Sequence, residues 1–266
     1  WVFVNFSMYK ISLWLLKIGT LLNLYLLGQT LIPPLVFVDA HILIPAQILF
    51  IVSAFRCFFP VSYSTNAVLH DSFLSSIFLT RLFATFAEVA YIYQFSYLIR
   101  LFNANQIPFV DILSWLMVVQ VIISQCFVWS AILTGRLKLY FYEELGWGII
   151  FVINTIVSAI LYWTLANLDG RELLLQLSLL FGAVYLPWQI IHLRTLRLSA
   201  KQQEIKEDIP KSITWSVLTK GLYKSIKMKN LTTQSEAWGG VIGMMWMTAY
   251  WATLIPSWIY LIVLTV

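Results

Sequence analysis

Charge is what this sequence has least of. Lysine, arginine, aspartate and glutamate make up 11% of its 266 residues, where a soluble domain carries about 25%. So few charges cannot cover a water-facing surface, and the chain has no room for a separate soluble domain. Cysteine is scarce as well. Cys57 and Cys126 are the only two and neither has a CxxC partner, so both read as free thiols and no disulfide framework exists. Histidine occurs three times, at positions 41, 70 and 192. His41 is expected on the opposite side of a membrane from His70 and His192, which argues against a bis-histidine haem across it. HExxH, ExxH, DxxD, GxSxG and a glycine-rich phosphate loop are all missing, so no metal site is expected and no cofactor is assigned. The last three apolar segments carry no lysine at mid-depth, which removes a retinal Schiff base of the usual kind.

What the sequence does have is apolar bulk: 60% hydrophobic residues and 16% aromatic ones. About 20 apolar residues span the hydrocarbon of a bilayer at 1.5 Å per residue. Seven segments meet that length, at about 9–30, 35–55, 74–100, 109–134, 145–167, 172–192 and 237–264. Pro33-Pro34 ends the first, because neither proline donates an N–H and each restricts its predecessor. Residues 56–73 and 135–144 read as loops, and Leu168-Asp169-Gly170-Arg171 as a tight turn. The fold class that follows is all-α: a polytopic integral membrane helical bundle of about seven transmembrane helices, forming a single transmembrane domain over 1–266.

One polar region interrupts it, at 193–236. Its first part is expected to continue helix six to Pro210. Its second part sets Ile213, Val217, Leu218, Leu222 and Ile226 against Lys211, Lys220, Lys224, Lys227 and Lys229, the pattern of an amphipathic basic helix lying on a bilayer. Nine of the 17 basic residues fall between Arg194 and Lys229. With Lys10, Arg56, Arg136 and Lys138 they place thirteen on one side, against Arg100 and Arg171 on the other. The positive-inside rule then puts the N-terminus inside and the C-terminus outside. The same distribution assigns the net charge of +5 to topology and lipid, and excludes nucleic acid as a partner.

Polar side chains inside the spans are the candidate functional residues. Arg81, Thr85 and Glu88 follow i, i+4, i+7 and share a helix face, which Tyr91 and Gln94 continue. Glu88 would sit near mid-membrane, where an unpaired charge costs at least a few kcal/mol, so this face is expected to point inward, toward helix six. On helix six, Ser178, Gly182, Tyr185, Gln189 and His192 form one stripe beside Pro187. Helix five offers Asn154, Ser158 and Tyr162. A secondary inner-side cluster is expected from His70 and Asp71 before helix three, Glu143 and Glu144 before helix five, and His192.

In helix seven, Trp246 and Trp251 lie deep enough to line an apolar pocket. Gly239, Gly240 and Gly243 there would permit close helix approach.

Three functions fit. The first is a polar intrabundle site that binds or moves a proton, an ion or a small amphipathic molecule, centred on Glu88. The second is an accessory subunit of a larger membrane assembly, contacting lipid, pigment or other membrane subunits. The third is a lipid-modifying enzyme using the inner cluster. The lipid bilayer is the expected partner throughout.

Overall fold

The structure is a computed structural model and describes residues 2–63, 65–164, 172–206 and 213–266. It is 84% helical. The elements run α1 (Val2–Gln29), α2 (Ala40–Phe58), β1 (Val61–Ser62), β2 (Ala67–Val68), α3 (Ile77–Phe102), α4 (Pro108–Thr134), α5 (Leu137–Thr164), α6 (Glu172–Lys206), α7 (Trp215–Lys227), β3 (Asn230–Leu231), α8 (Gly240–Thr248) and α9 (Leu254–Thr265). Among the described residues, seven helical stretches are long and apolar enough to cross a membrane: 11–29, 40–58, 77–102, 108–134, 137–164, 172–205 and 243–265. The all-α class and the number of spans therefore agree with the hydrophobic pattern.

The chain divides into two compact units, one of residues 1–91 with 223–266 and the other of residues 92–222. The division falls within α3 and within α7. In the first unit α1 packs on α2, and both pack on the last helical segment. Asp39 caps α2 by accepting a bond from the His41 backbone N–H at 2.8 Å. The stretch expected as one loop between α2 and α3 holds two short strands instead. β1 pairs with β2 antiparallel, and β2 pairs with β3 parallel, with Ala67 opposite Asn230 and Val68 opposite Leu231. Two-residue strands carry no periodicity, so sequence could not reveal them.

The last span is not one straight helix. Gly239 and Gly240 take φ of +77° and +65°, a left-handed turn that separates a short 3-10 segment from α8 and that glycine adopts without strain. They serve that turn, while Gly243 lets the Trp238 carbonyl approach closely. Between α8 and α9, Ala249–Thr253 forms a π-helical turn. Its register pairs the Leu254 N–H with the Ala249 carbonyl. Continued by two residues, that register would require an N–H from Pro256 for the Trp251 carbonyl, and proline has none. Asn23 of α1 supplies the bond instead: its Nδ2 donates to Trp251 O at 3.0 Å and to Gly19 O at 2.8 Å. Nearby, any side chain at Gly19 would strike Ala252.

In the second unit α4, α5 and α6 pack in sequence, with α5 in the middle. Asn103 closes the turn from α3 to α4, donating to Ile107 O at 3.0 Å and to Asp111 Oδ1 at 2.9 Å. α5 begins at Leu137, so the charged connection expected over 135–144 is mostly helix, and Glu143 and Glu144 lie inside α5 and not ahead of it. Gln203 of α6 explains the early start. Its Oε1 accepts from the Leu137 N–H at 2.9 Å and its Nε2 donates to Gly135 O at 3.0 Å, capping one helix end and the preceding turn together. α6 runs unbroken for 35 residues, about 52 Å. That exceeds a bilayer with its headgroups, about 40–45 Å. Pro187 sits within it without ending it. The turn expected at 168–171 and the helix end expected at Pro210 lie outside the described residues.

α7 forms where an amphipathic basic helix was expected. Its Gly221 lies against the Leu133 backbone at the end of α4, so closely that a Cβ would overlap the carbonyl group. Gly221→Ala is expected to destabilise the protein by about 1–3 kcal/mol. Gly28→Ala, in open space on α1, should leave it unchanged or slightly more stable. Thermal unfolding in detergent compares the two, and equal melting temperatures would contradict this packing.

Candidate functional site

The polar residues of α3 are buried. Arg81 is 3% exposed and Glu88 7%, and Tyr91 and Gln94 are equally enclosed. Arg81 Nη2 donates to Glu88 Oε2 at 2.6 Å and Nη1 donates to Oε1 at 3.2 Å. The pair is bidentate, the strongest geometry for guanidinium and carboxylate. It bridges two helical turns within one helix, while Thr85 between them turns its hydroxyl back onto Arg81 O at 3.0 Å. Charge that would be costly alone is thus neutralised on α3 itself.

The same unit holds His70 and Asp71. His70 stacks on Phe58 at 5.6 Å and meets the edge of Phe59 at 5.7 Å. Asp71 pairs with Lys229 at 3.1 Å, and Lys229 also donates to Ser72 O at 2.9 Å. These bonds tie the segment after α7 to the segment before α3 beside the β2–β3 pairing.

Arg56, expected in a loop on the basic side, is 6% exposed. Its guanidinium lies 4.8 Å from the Trp251 ring and 5.1 Å from the Tyr63 ring, and it donates to the Tyr63 hydroxyl. Ring faces meet part of its charge. Among the described residues no carboxylate pairs with it, and its Nε has no hydrogen-bond partner. Trp251 therefore faces a cation, while Trp246 is partly exposed at 38%. The environment of Arg56 had no signal in the sequence, because it depends on a π-helical turn remote in the chain and on the fold of the short hairpin that follows α2.

The second unit brings together Glu144, Gln189 and His192. Gln189 Nε2 donates to Glu144 O at 2.6 Å and to Glu144 Oε2 at 3.1 Å. His192 Nε2 lies 3.9 Å from Glu144 Oε1, with both side chains about a third exposed. The α6 stripe continues as a ladder of rings. Phe181 stacks on Tyr185 at 5.2 Å, Tyr185 meets Trp188 at 5.7 Å, and Trp188 stacks on His192 at 4.8 Å and 10°. From α5, Phe151 closes on Tyr185 at 4.7 Å. Gly182 permits this approach, since a Cβ there would overlap the Thr155 hydroxyl. Asn154 and Ser158 are buried on α5, and Glu143 is 7% exposed.

The expected site residues thus fall in two units: Arg81, Glu88, Tyr91, His70 and Asp71 in the first, and Asn154, Tyr185, Gln189, His192, Glu143 and Glu144 in the second. Among the described residues no group of three or more His, Cys, Asp or Glu side chains is placed to hold a metal ion. Chemically, Arg81 and Glu88 of the first set form a closed ion pair. The second offers a carboxylate, an amide and an imidazole at the end of an aromatic wall, with the carboxylate and the imidazole partly exposed.

The closed pair makes a sharp prediction. Arg81→Met leaves Glu88 buried without its guanidinium and should cost about 3–5 kcal/mol, whereas Arg81→Met with Glu88→Leu should recover most of that loss. Thermal melts of both variants in detergent decide it; a double variant as unstable as the single one would show that the pair is not the unit of stability. No family model, no curated protein and no solved structure matches this chain.

Proposed function

We propose that this chain is an integral membrane protein whose α5–α6 pair binds a small amphipathic molecule. Glu144, Gln189 and His192 hold its polar end and Tyr185 and Trp188 its apolar body. The observation that carries this reading is the ring ladder from Phe181 to His192, which ends on a partly exposed imidazole and carboxylate. A buried structural pair would be closed to solvent, as Arg81 and Glu88 are, whereas this site keeps two hydrogen-bonding groups accessible. An aromatic wall with a few convergent polar groups is the usual make-up of a small-molecule site. The Arg81–Glu88 pair, flanked by Tyr91, then serves to hold α3 in shape, since its two hydrogen bonds satisfy the charges without a ligand. Asn154 lies further along α5 and is buried.

A bromine-labelled monoacylglycerol titrated into the detergent-solubilised protein tests this reading. Bromine quenches tryptophan at short range, so a bound chain should give saturable quenching. Trp188→Phe should remove much of that signal while keeping a ring in the ladder. Glu144→Gln with His192→Ala should weaken binding about threefold to tenfold, the worth of one or two hydrogen bonds. Quenching that rises without saturation, alike in all three proteins, would sink the proposal.

A further inference from the structure

Beyond Glu144 and His192, toward the start of α5 and the end of α6, the two helices open into a cleft of about 460 Å³. Phe141, Tyr142 and the buried Ala200 form its apolar lining, and Lys138, Arg197, Lys201 and Glu204 surround them. We propose that this cleft binds a phosphate group, carried by the headgroup of an anionic phospholipid.

Three observations carry the assignment. Three cations converge on a small volume that holds one carboxylate. The ion pair that Glu204 makes with Lys138 is 3.6 Å long and more than half exposed on both sides, so it is weak and exchangeable. A phosphate monoester, as in phosphatidic acid, carries more charge than that carboxylate and more acceptor oxygens, and Arg197 supplies a planar fork that suits it. The positive end of the α5 dipole, next to Lys138, adds to the same field.

The second observation is depth. About twenty residues separate the start of α6 from His192, roughly 30 Å, the thickness of a bilayer's hydrocarbon. Set against a hydrocarbon slab that begins at the start of α6, Arg197, Lys201 and Glu204 occupy the next turns, at headgroup level. A soluble anion site has no reason to lie there, whereas a lipid phosphate does.

The third is preorganisation. Gln203 clamps Leu137 and Gly135, which fixes the start of α5 against the end of α6 and holds the cleft walls without a ligand. The apolar lining then gives the glycerol and the first methylenes a dry path. That the acyl chain continues along the Trp188 ladder rests on the amphiphile reading above; the phosphate contact does not.

Native mass spectrometry of the full chain released from nanodiscs of mixed phosphatidylcholine and phosphatidic acid tests this. The wild type should retain phosphatidic acid in preference to phosphatidylcholine. R197Q with K201Q should lower that retention about thirtyfold, at roughly 1 kcal/mol per basic residue near the membrane surface. K220Q with K224Q, which removes the same charge from exposed positions on α7, should change it less than twofold. E204Q should increase retention by freeing Lys138. Helical circular dichroism confirms that each variant folds, and E204Q reads the site through a gain in case R197Q with K201Q does not assemble. No preference in the wild type, or equal losses in the cleft and α7 variants, would overturn the proposal. Displacement of the lipid by inorganic phosphate at matched phosphate concentration would overturn the lipid as the source. A failed bromine-quenching experiment with intact phosphatidic acid preference would remove only the chain's course along the ladder.

Discussion

A helix surrounded by lipid can find hydrogen bonds only within the protein. Most of this architecture follows from that constraint. The helices satisfy their own backbones, so difficulty concentrates where a helix is broken or a polar side chain lies within a span. Each such place has a local answer. Pro256 removes an N–H, and Asn23 from another helix bonds the Trp251 carbonyl that the π-helical register would have left without one. Glu88 carries a charge, and Arg81 on the same helix neutralises it through two hydrogen bonds. The first turn of α5 exposes a donor, and Gln203 accepts from it.

These answers differ in kind, and the difference separates structure from candidate function. Arg81 and Glu88 complete one another and are enclosed. Arg56 is enclosed but only partly answered, by two ring faces and a hydroxyl. Glu144 and His192 face each other at 3.9 Å and remain partly accessible, and the cleft beyond them gathers cations around an exchangeable ion pair. Along α5 and α6 the environment grades from aromatic, through hydrogen-bonding, to basic. A phospholipid has the same order from its chain, through its glycerol, to its phosphate.

Much of the fold was legible because helices long and apolar enough to span a bilayer announce themselves by those two properties alone. The spans expected over 109–134 and 74–100 differ from α4 and α3 by at most three residues at their ends. The charged run before helix five misled for a physical reason. Lys138, Glu143 and Glu144 look like a loop by polarity, yet they extend α5 because Gln203 caps it and α6 is long enough to cover it. The glycines before helix seven were expected to pack helices; two of them instead provide left-handed backbone. At the candidate sites, the i, i+7 spacing of Arg81 and Glu88 put both on one face, but not that they close on each other with both forks engaged. The 4, 3, 4, 3 stripe on α6 placed Tyr185, Gln189 and His192 together, while the ring stacking that joins them needed Trp188, off that stripe by one residue.

The sequence by itself determined the class of this protein, the number of its long apolar helices, the place of its basic amphipathic helix and which polar residues share a helix face. All of these are properties of one segment at a time, set by composition and by the period of 3.6 residues. Only the tertiary structure decided what each polar group meets: Asn23 with the Trp251 carbonyl, Arg56 between two rings, Lys229 with Asp71, Gln189 with Glu144, and three cations around one cleft. Those pairings join residues far apart in the chain, and no local pattern encodes which helix will stand beside which.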